Sequence, residues 1–217
     1  MVMAITAMPG QEAAAPGGTL ATSGWRGANS ALITLGGAGD EHLRAAAARS
    51  AALLGVTNHF HWAAPDDYAA RLARAIRALR PHVVLAHLAV QAAVLDACVL
   101  AGDEAYPTPG LAPLDEEKTR LWVADSDGAS AVDVSAARPL QFALRHYYPT
   151  SHQIRPPTSP LERFSLLAGP PLAPDALPDD LFAGLHHCPL RAPLSFLHPR
   201  RHSSETYNGS PGFVQDA

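Results

Sequence analysis

Four short apolar runs recur through the first ninety residues or so, and helix-like stretches lie between them. VMAITA at residues 2–7 and SALITL at residues 30–35 are too short for helices and too apolar for surface loops. Residues 57–62 and 82–87 repeat the pattern, the last with the β-branched pair Val83 and Val84 at its centre. Residues 40–54 are dense in Ala, Leu and Arg, with Asp40 placed to cap a helix and Gly55 to stop it. A second helix is expected from Pro65, Asp66 and Asp67 to Leu79, with Leu72, Ile76 and Leu79 at helical spacing. A third, apolar helix is expected over residues 90–101. This alternation predicts an α/β fold, a Rossmann-like, mostly parallel sheet with helices on both faces. Ligands of such sheets bind outside the carboxyl ends of the strands, here near residues 8–12, 36–40, 62–67 and 87–91.

The second half reads differently. Strands are expected at residues 119–124 and 131–134 around a turn at 125–128, followed by a helix over 135–147. From Pro149 onward prolines are too dense for any one regular element. The chain is therefore divided into an α/β domain at 1–155 and a proline-rich extension at 156–217 that packs on it and ends in a loose polar tail.

A formal net charge of −4 and the lack of a Lys/Arg-rich run argue against nucleic acid and against an anionic membrane surface. No apolar run approaches the roughly 20 residues that span a bilayer. The N-terminus lacks a basic leader region, so a cytoplasmic protein is expected. Cys98 and Cys188 form no C-x-x-C pair and are expected as free thiols. What remains as a partner is a small molecule.

Four stretches resemble the LmbE-like or PIG-L N-acetylglucosaminyl deacetylases, which include the mycothiol and bacillithiol deacetylases. AMPGQEAAAPGGTLA at 7–21 stands where that family has AHPDDE followed by GGTLA. RAAAARSAALLGV at 44–56, AIRALRPHVVLAH at 75–87 and VDVSAARPLQFALRHYYPTSHQ at 132–153 match further family segments, in family order. The resemblance implies a zinc-dependent N-acyl hydrolase and a homo-oligomer. It also implies zinc ligands at the positions of Met8 and Gln11, a general base at the position of Gly10, and a third ligand from a later histidine motif. A thioether, a neutral amide and an absent side chain stand at those three positions. The later motif is missing, because His87 runs directly into Leu88, Ala89, Val90 and Gln91.

The residues thus point to a divergent member without zinc chemistry and without a cofactor. The expected function is a repurposed, metal-independent enzyme acting on a small, fairly apolar specialised metabolite by acid–base cyclisation, elimination or isomerisation. His87, Glu12 and His146 are the candidate catalytic groups, since imidazole titrates near neutrality and a carboxylate can relay a proton. Met8, Gly10, Gln11, Asp40, Trp62 and Tyr147 are the candidate substrate contacts. A non-catalytic binding or scaffold protein is the alternative. A zinc hydrolase with relocated ligands, drawn from the chain's 11 histidines, is the third reading. His59 and His61 share one face of a strand, while His186, His187 and His198 lie in the proline-rich region.

Overall fold

The computed structural model describes residues 1–62, 67–149, 154, 156, 158–172, 176–177, 180–183 and 185. Pro65, Asp66, His186, His187, Cys188 and His198 lie outside the described residues.

Seven strands form one sheet in the order β3-β2-β1-β4-β5-β7-β6. They are β1 (Val2–Thr6), β2 (Ser30–Leu35), β3 (Asn58–Trp62), β4 (Val83–Ala86), β5 (Arg120–Ala124), β6 (Ser130–Asp133) and β7 (Leu161–Ala168). Strands β1 to β5 pair in parallel, and β7 is antiparallel to both β5 and β6. β1, β2 and β4 are buried along their whole length, as continuous apolar runs covered on both faces should be.

The covering helices are α1 (Gly17–Trp25), α2 (Glu41–Leu53), α3 (Tyr68–Leu79), α4 (Gln91–Gly102) and α5 (Arg138–Leu144). Leu20 of α1, Ala51 of α2 and Leu144 of α5 join Val2, Ala4, Leu32 and Leu85 in one core layer. Leu72 and Ile76 of α3 and Val94 and Ala97 of α4 join Met3, Ile5, Ile33 and Val84 in the other. The period of two in each strand sends alternate residues to the two layers. No helix among the described residues is long and apolar enough to cross a membrane.

Two features differ from the expectation. β7 lies inside the proline-rich region, between Pro160 and Pro170, so the sheet continues past residue 155 to Ala168. The segment at 125–128 does turn, but the strands it joins are not neighbours, because β7 is inserted between β5 and β6. α1 follows a proline and begins on two glycines, with nothing in the local sequence to fix its start. It is held from outside: the buried Glu162 of β7 accepts the Gly18 and Thr19 amides at 2.8 Å each, at the end of the helix where an anion is favoured.

Candidate functional site at the carboxyl ends of β1 and β4

The chain leaves β1 for β2 on one side, while β4 lies on the other. The strand order therefore switches direction between β1 and β4, the position at whose carboxyl ends sheets of this kind form a ligand crevice. A polar row lines this end of the sheet. Thr6 of β1 stands beside Thr34 of β2, hydroxyl to hydroxyl at 3.3 Å, and Thr34 stands beside His61 of β3. His87 follows β4, its amide donating to Ile5 O at 2.9 Å.

The segment that leaves β1 is closed by its own side chains. Gln11 Oε1 accepts the amides of Ala7 at 2.7 Å and Met8 at 3.1 Å, capping the donors that β1 leaves at its end. Gly10 has φ 97°, a left-handed conformation that a side chain resists. Its amide donates to Glu12 Oε2 at 2.9 Å. Glu12 Oε1 accepts Ser50 Oγ of α2 at 2.6 Å and the hydroxyl of Tyr148. Burial and the adjacent Glu12 carboxylate hold the Tyr148 phenol well above its ordinary value.

Glu12 is 0% exposed. The sequence makes it a proton carrier in the crevice. The structure instead makes it the brace that ties the strand-end loop to α2 and to Tyr148. Its two oxygens take three donors, from Gly10, Ser50 and Tyr148, and none is solvent-exposed.

His87 is half-buried and oriented. Its Nδ1 accepts the Ala89 amide at 3.2 Å, so the neutral ring carries its proton on Nε2. Burial holds its pKa below the ordinary histidine value, which keeps it neutral near pH 7. A ring in this state is a hydrogen-bond donor. It is a poor base, because taking a second proton would break the bond from Ala89.

The other expected residues divide. Met8 is 38% exposed and beside Gly36, where an added Cβ would approach its sulfur to 3.2 Å. Asp40 is the N-cap of α2, accepting from His42 N at 2.8 Å and Leu43 N at 3.1 Å. Trp62 is 9% exposed and packs in the α3 layer, with the Arg71 guanidinium 4.4 Å from its ring centroid. The half-buried Tyr147 ring takes Arg49 at 5.8 Å. His146 is exposed on the turn after α5. The three groups expected to carry catalysis differ in setting: His87 is half-buried at the strand end, Glu12 is buried and His146 is exposed.

His61 donates Nε2–H to Gly36 O at 2.7 Å, which leaves its buried Nδ1 without a partner among the described residues. Buried His59 Nε2 is likewise unpaired there, and burial together with His61 holds its pKa down. Among the described residues no three His, Cys, Asp or Glu side chains converge.

Sequence reasoning places Tyr148 with Tyr147 as a polar tip that could line the pocket, whereas it is buried against Glu12; it misses Ser50 and Thr34, whose roles are set by partners far away in the chain. It also misses a cavity of about 330 Å³ at the carboxyl end of β5, lined by Ala15, Ala124, Asp125, Ser126, Leu161 and Arg163 among others. The Ser165 hydroxyl and the Asp127 amide hold the Asp125 carboxyl below its usual range. A signal is present: Asp125 and Ser126 follow a strand end, the place where open α/β sheets generally bind ligands.

No family profile matches the chain, and no curated protein matches it. Solved structures do. The conserved protein TT1542 from Thermus thermophilus superposes with a TM-score of 0.60 at 22% identity, over 81% of this chain and 98% of its own. N,N'-diacetylchitobiose deacetylase from Pyrococcus horikoshii superposes with a TM-score of 0.60 at 17% identity, over 70% of this chain and 72% of its own. GalB, the 4-carboxy-2-hydroxymuconate hydratase from Pseudomonas putida, superposes with a TM-score of 0.58 at 15% identity, over 69% of this chain and 79% of its own. These likenesses establish the fold, that of the LmbE-like deacetylases. One of the three is a deacetylase and another a hydratase, so the fold alone does not decide the reaction.

Proposed function

We propose that the chain is a zinc-independent enzyme on the LmbE-like fold, acting on a small, fairly apolar molecule whose carbonyl oxygen takes the Nε2–H of His87. The observation that carries this reading is the tautomer of His87, fixed by the Ala89 amide in a ring that burial keeps neutral. A donor preset in this way polarises a carbonyl without reorganising, which favours enolisation and hence isomerisation, elimination or cyclisation. GalB, on the same fold, is named a hydratase, which is the same broad class of acid–base work on a small molecule.

Zinc does not fit the residues at the strand end. Met8 offers a thioether and Gly10 nothing. Gln11 Oε1 already serves two amides, and His87 Nδ1 already accepts one. Zinc sites in proteins are built from imidazole, thiolate and carboxylate. A relocated site has no support among the described residues, where no cluster of such groups occurs.

A second reading, binding without turnover, is favoured by a specific observation. Glu12 and Asp40, the carboxylates nearest the crevice in sequence, are both occupied as a brace and a helix cap, which leaves the proton-abstracting partner of His87 unassigned.

The test is a thermal-shift and turnover screen of small carbonyl compounds against the purified chain, with metal content measured on the same sample. Ligands that stabilise the wild type and lose at least tenfold in affinity or rate with His87→Ala support the proposal. Stoichiometric zinc, or a His87→Ala variant that binds and turns over every hit like the wild type, overturns it. Binding that depends on His87 without turnover selects the second reading.

A further inference from the structure

At the opposite end of the sheet from the crevice, a cavity of about 390 Å³ opens between α4 and the paired ends of β5 and β7. Its walls are apolar: Leu95, Val99, Leu114, Leu121, Ala168 and Pro170. α4 buries Val94, Ala97 and Ala101 against the sheet, yet Val99, in the cavity wall, is 61% exposed. The volume lies in the range of small-ligand pockets, which are mostly apolar with a few placed polar groups.

Among the described residues the charged side chains that line this cavity are Glu116 and Glu117. Glu116 reaches over α4 and lies against Gly102, where a Cβ would come within 2.3 Å of its Oε1. Its charge is felt inside the cavity. Burial, and after it the Glu116 carboxylate, pushes the thiol of the lining Cys98 up to about 12. The thiol is therefore neutral near pH 7, and the charge on the cavity wall is negative only.

The neighbouring cations are committed elsewhere. Lys118 pairs with Asp115 at 2.5 Å. Buried Arg77 gives its donors to the carbonyls of Leu100, Ala101, Asp103 and Tyr106 and to the Thr108 hydroxyl. Arg80 donates to Pro113 O at 2.9 Å. Arg120 donates to Pro170 O, Pro171 O and Leu181 O. Among the described residues no cation pairs with Glu116 or Glu117. An apolar chamber with two such carboxylates is complementary to an apolar body with one positive head.

We propose that this cavity binds a hydrophobic amine. The hydrocarbon body replaces water against Leu95, Val99, Leu121 and Ala168, and the ammonium group stays beside the exposed Glu116 and Glu117. Burial of the body supplies most of the affinity. Exposed ion pairs are individually weak, so the carboxylates chiefly select the charge of the head. The site lies apart from the crevice and does not depend on the role proposed for His87.

n-Octylamine, 1-octanol and octanoate share one chain length and differ in the head. Calorimetric titration of the whole chain near neutral pH should rank them in that order, with the amine at least threefold tighter than the alcohol. In the Glu116→Gln/Glu117→Gln variant the amine should fall to the affinity of the alcohol, and the alcohol should keep its own. In a Cys188→Ser background, octylamine should slow alkylation of Cys98 by N-ethylmaleimide, which places the ligand in this cavity. No binding of the amine, equal affinities of amine and alcohol, an amine preference that survives the double substitution, or a Cys98 that octylamine does not protect would each overturn the proposal.

Discussion

Thr19, in the first turn of α1, gives both its amide and its hydroxyl to one oxygen of Glu162, at 2.8 and 2.6 Å, across 143 residues of chain. Gly18 N and Gln141 Nε2 serve the other oxygen at 2.8 and 2.7 Å. Burial pushes the Glu162 carboxyl up, and these donors pull it back toward the charged form. Thr19→Val should cost about 1.5–3 kcal/mol, the worth of a hydrogen bond to a charged group. Glu162→Ala, which strands every donor of the cluster, should cost more. Urea unfolding should show a lower midpoint with unchanged slope for Thr19→Val.

Glu12 is tested by the same logic. Tyr148→Phe removes one donor from a buried carboxylate and should lower stability by about 1.5–3 kcal/mol. It should leave the affinity of any crevice ligand unchanged. Calorimetric unfolding beside ligand titration separates the two readouts, and a large affinity loss with unchanged stability would return Glu12 to the site.

Gly10 sits at φ 97°. Gly10→Ala should destabilise by about 1–2 kcal/mol, the cost of a left-handed residue with a Cβ. Replacing Met8, Gly10 and Gln11 together by His, Asp and Asp should therefore give a less stable protein without zinc-dependent deacetylation, as measured by melting temperature, metal content and amide hydrolysis.

The histidines set an acid limb on stability. The folded pKa values of His59 and His87 lie below the ordinary 6.5, chiefly through burial. Just below pH 6.5 the unfolded chain binds more protons than the folded one, so stability falls as pH falls through that window. Their contribution is complete above it. Melting temperature should drop as pH is lowered from about 6.5 to about 5, the window in which the unfolded imidazoles charge first. His59→Leu or His87→Asn should each flatten the slope.

Much of the sheet is legible because β1, β2 and β4 are short, continuous, mainly apolar runs. SALITL is β2 without a residue's difference. Asp40 caps α2 as expected, and Gly55 follows its end with φ 71°. What stays hidden is non-local. LERFSLLA is masked by flanking prolines, and only the open edges of β5 and β6 make it a strand. The site divides in the same way. Asp40 is placed by its neighbours alone, whereas the role of Glu12 depends on Ser50 and Tyr148, 38 and 136 residues away.

Gln11 ties its own identity to the shape of the strand end. Its carbonyl closes the end of β1 by holding the Ala7 and Met8 amides, while the next residue back, Gly10, has adopted a turn that only glycine holds without strain. Aspartate at position 11, one methylene shorter, would have to reach further to accept both amides, and any side chain at position 10 would strain the turn. Positions 10 and 11 therefore answer to the backbone that leaves β1 before they answer to any ligand.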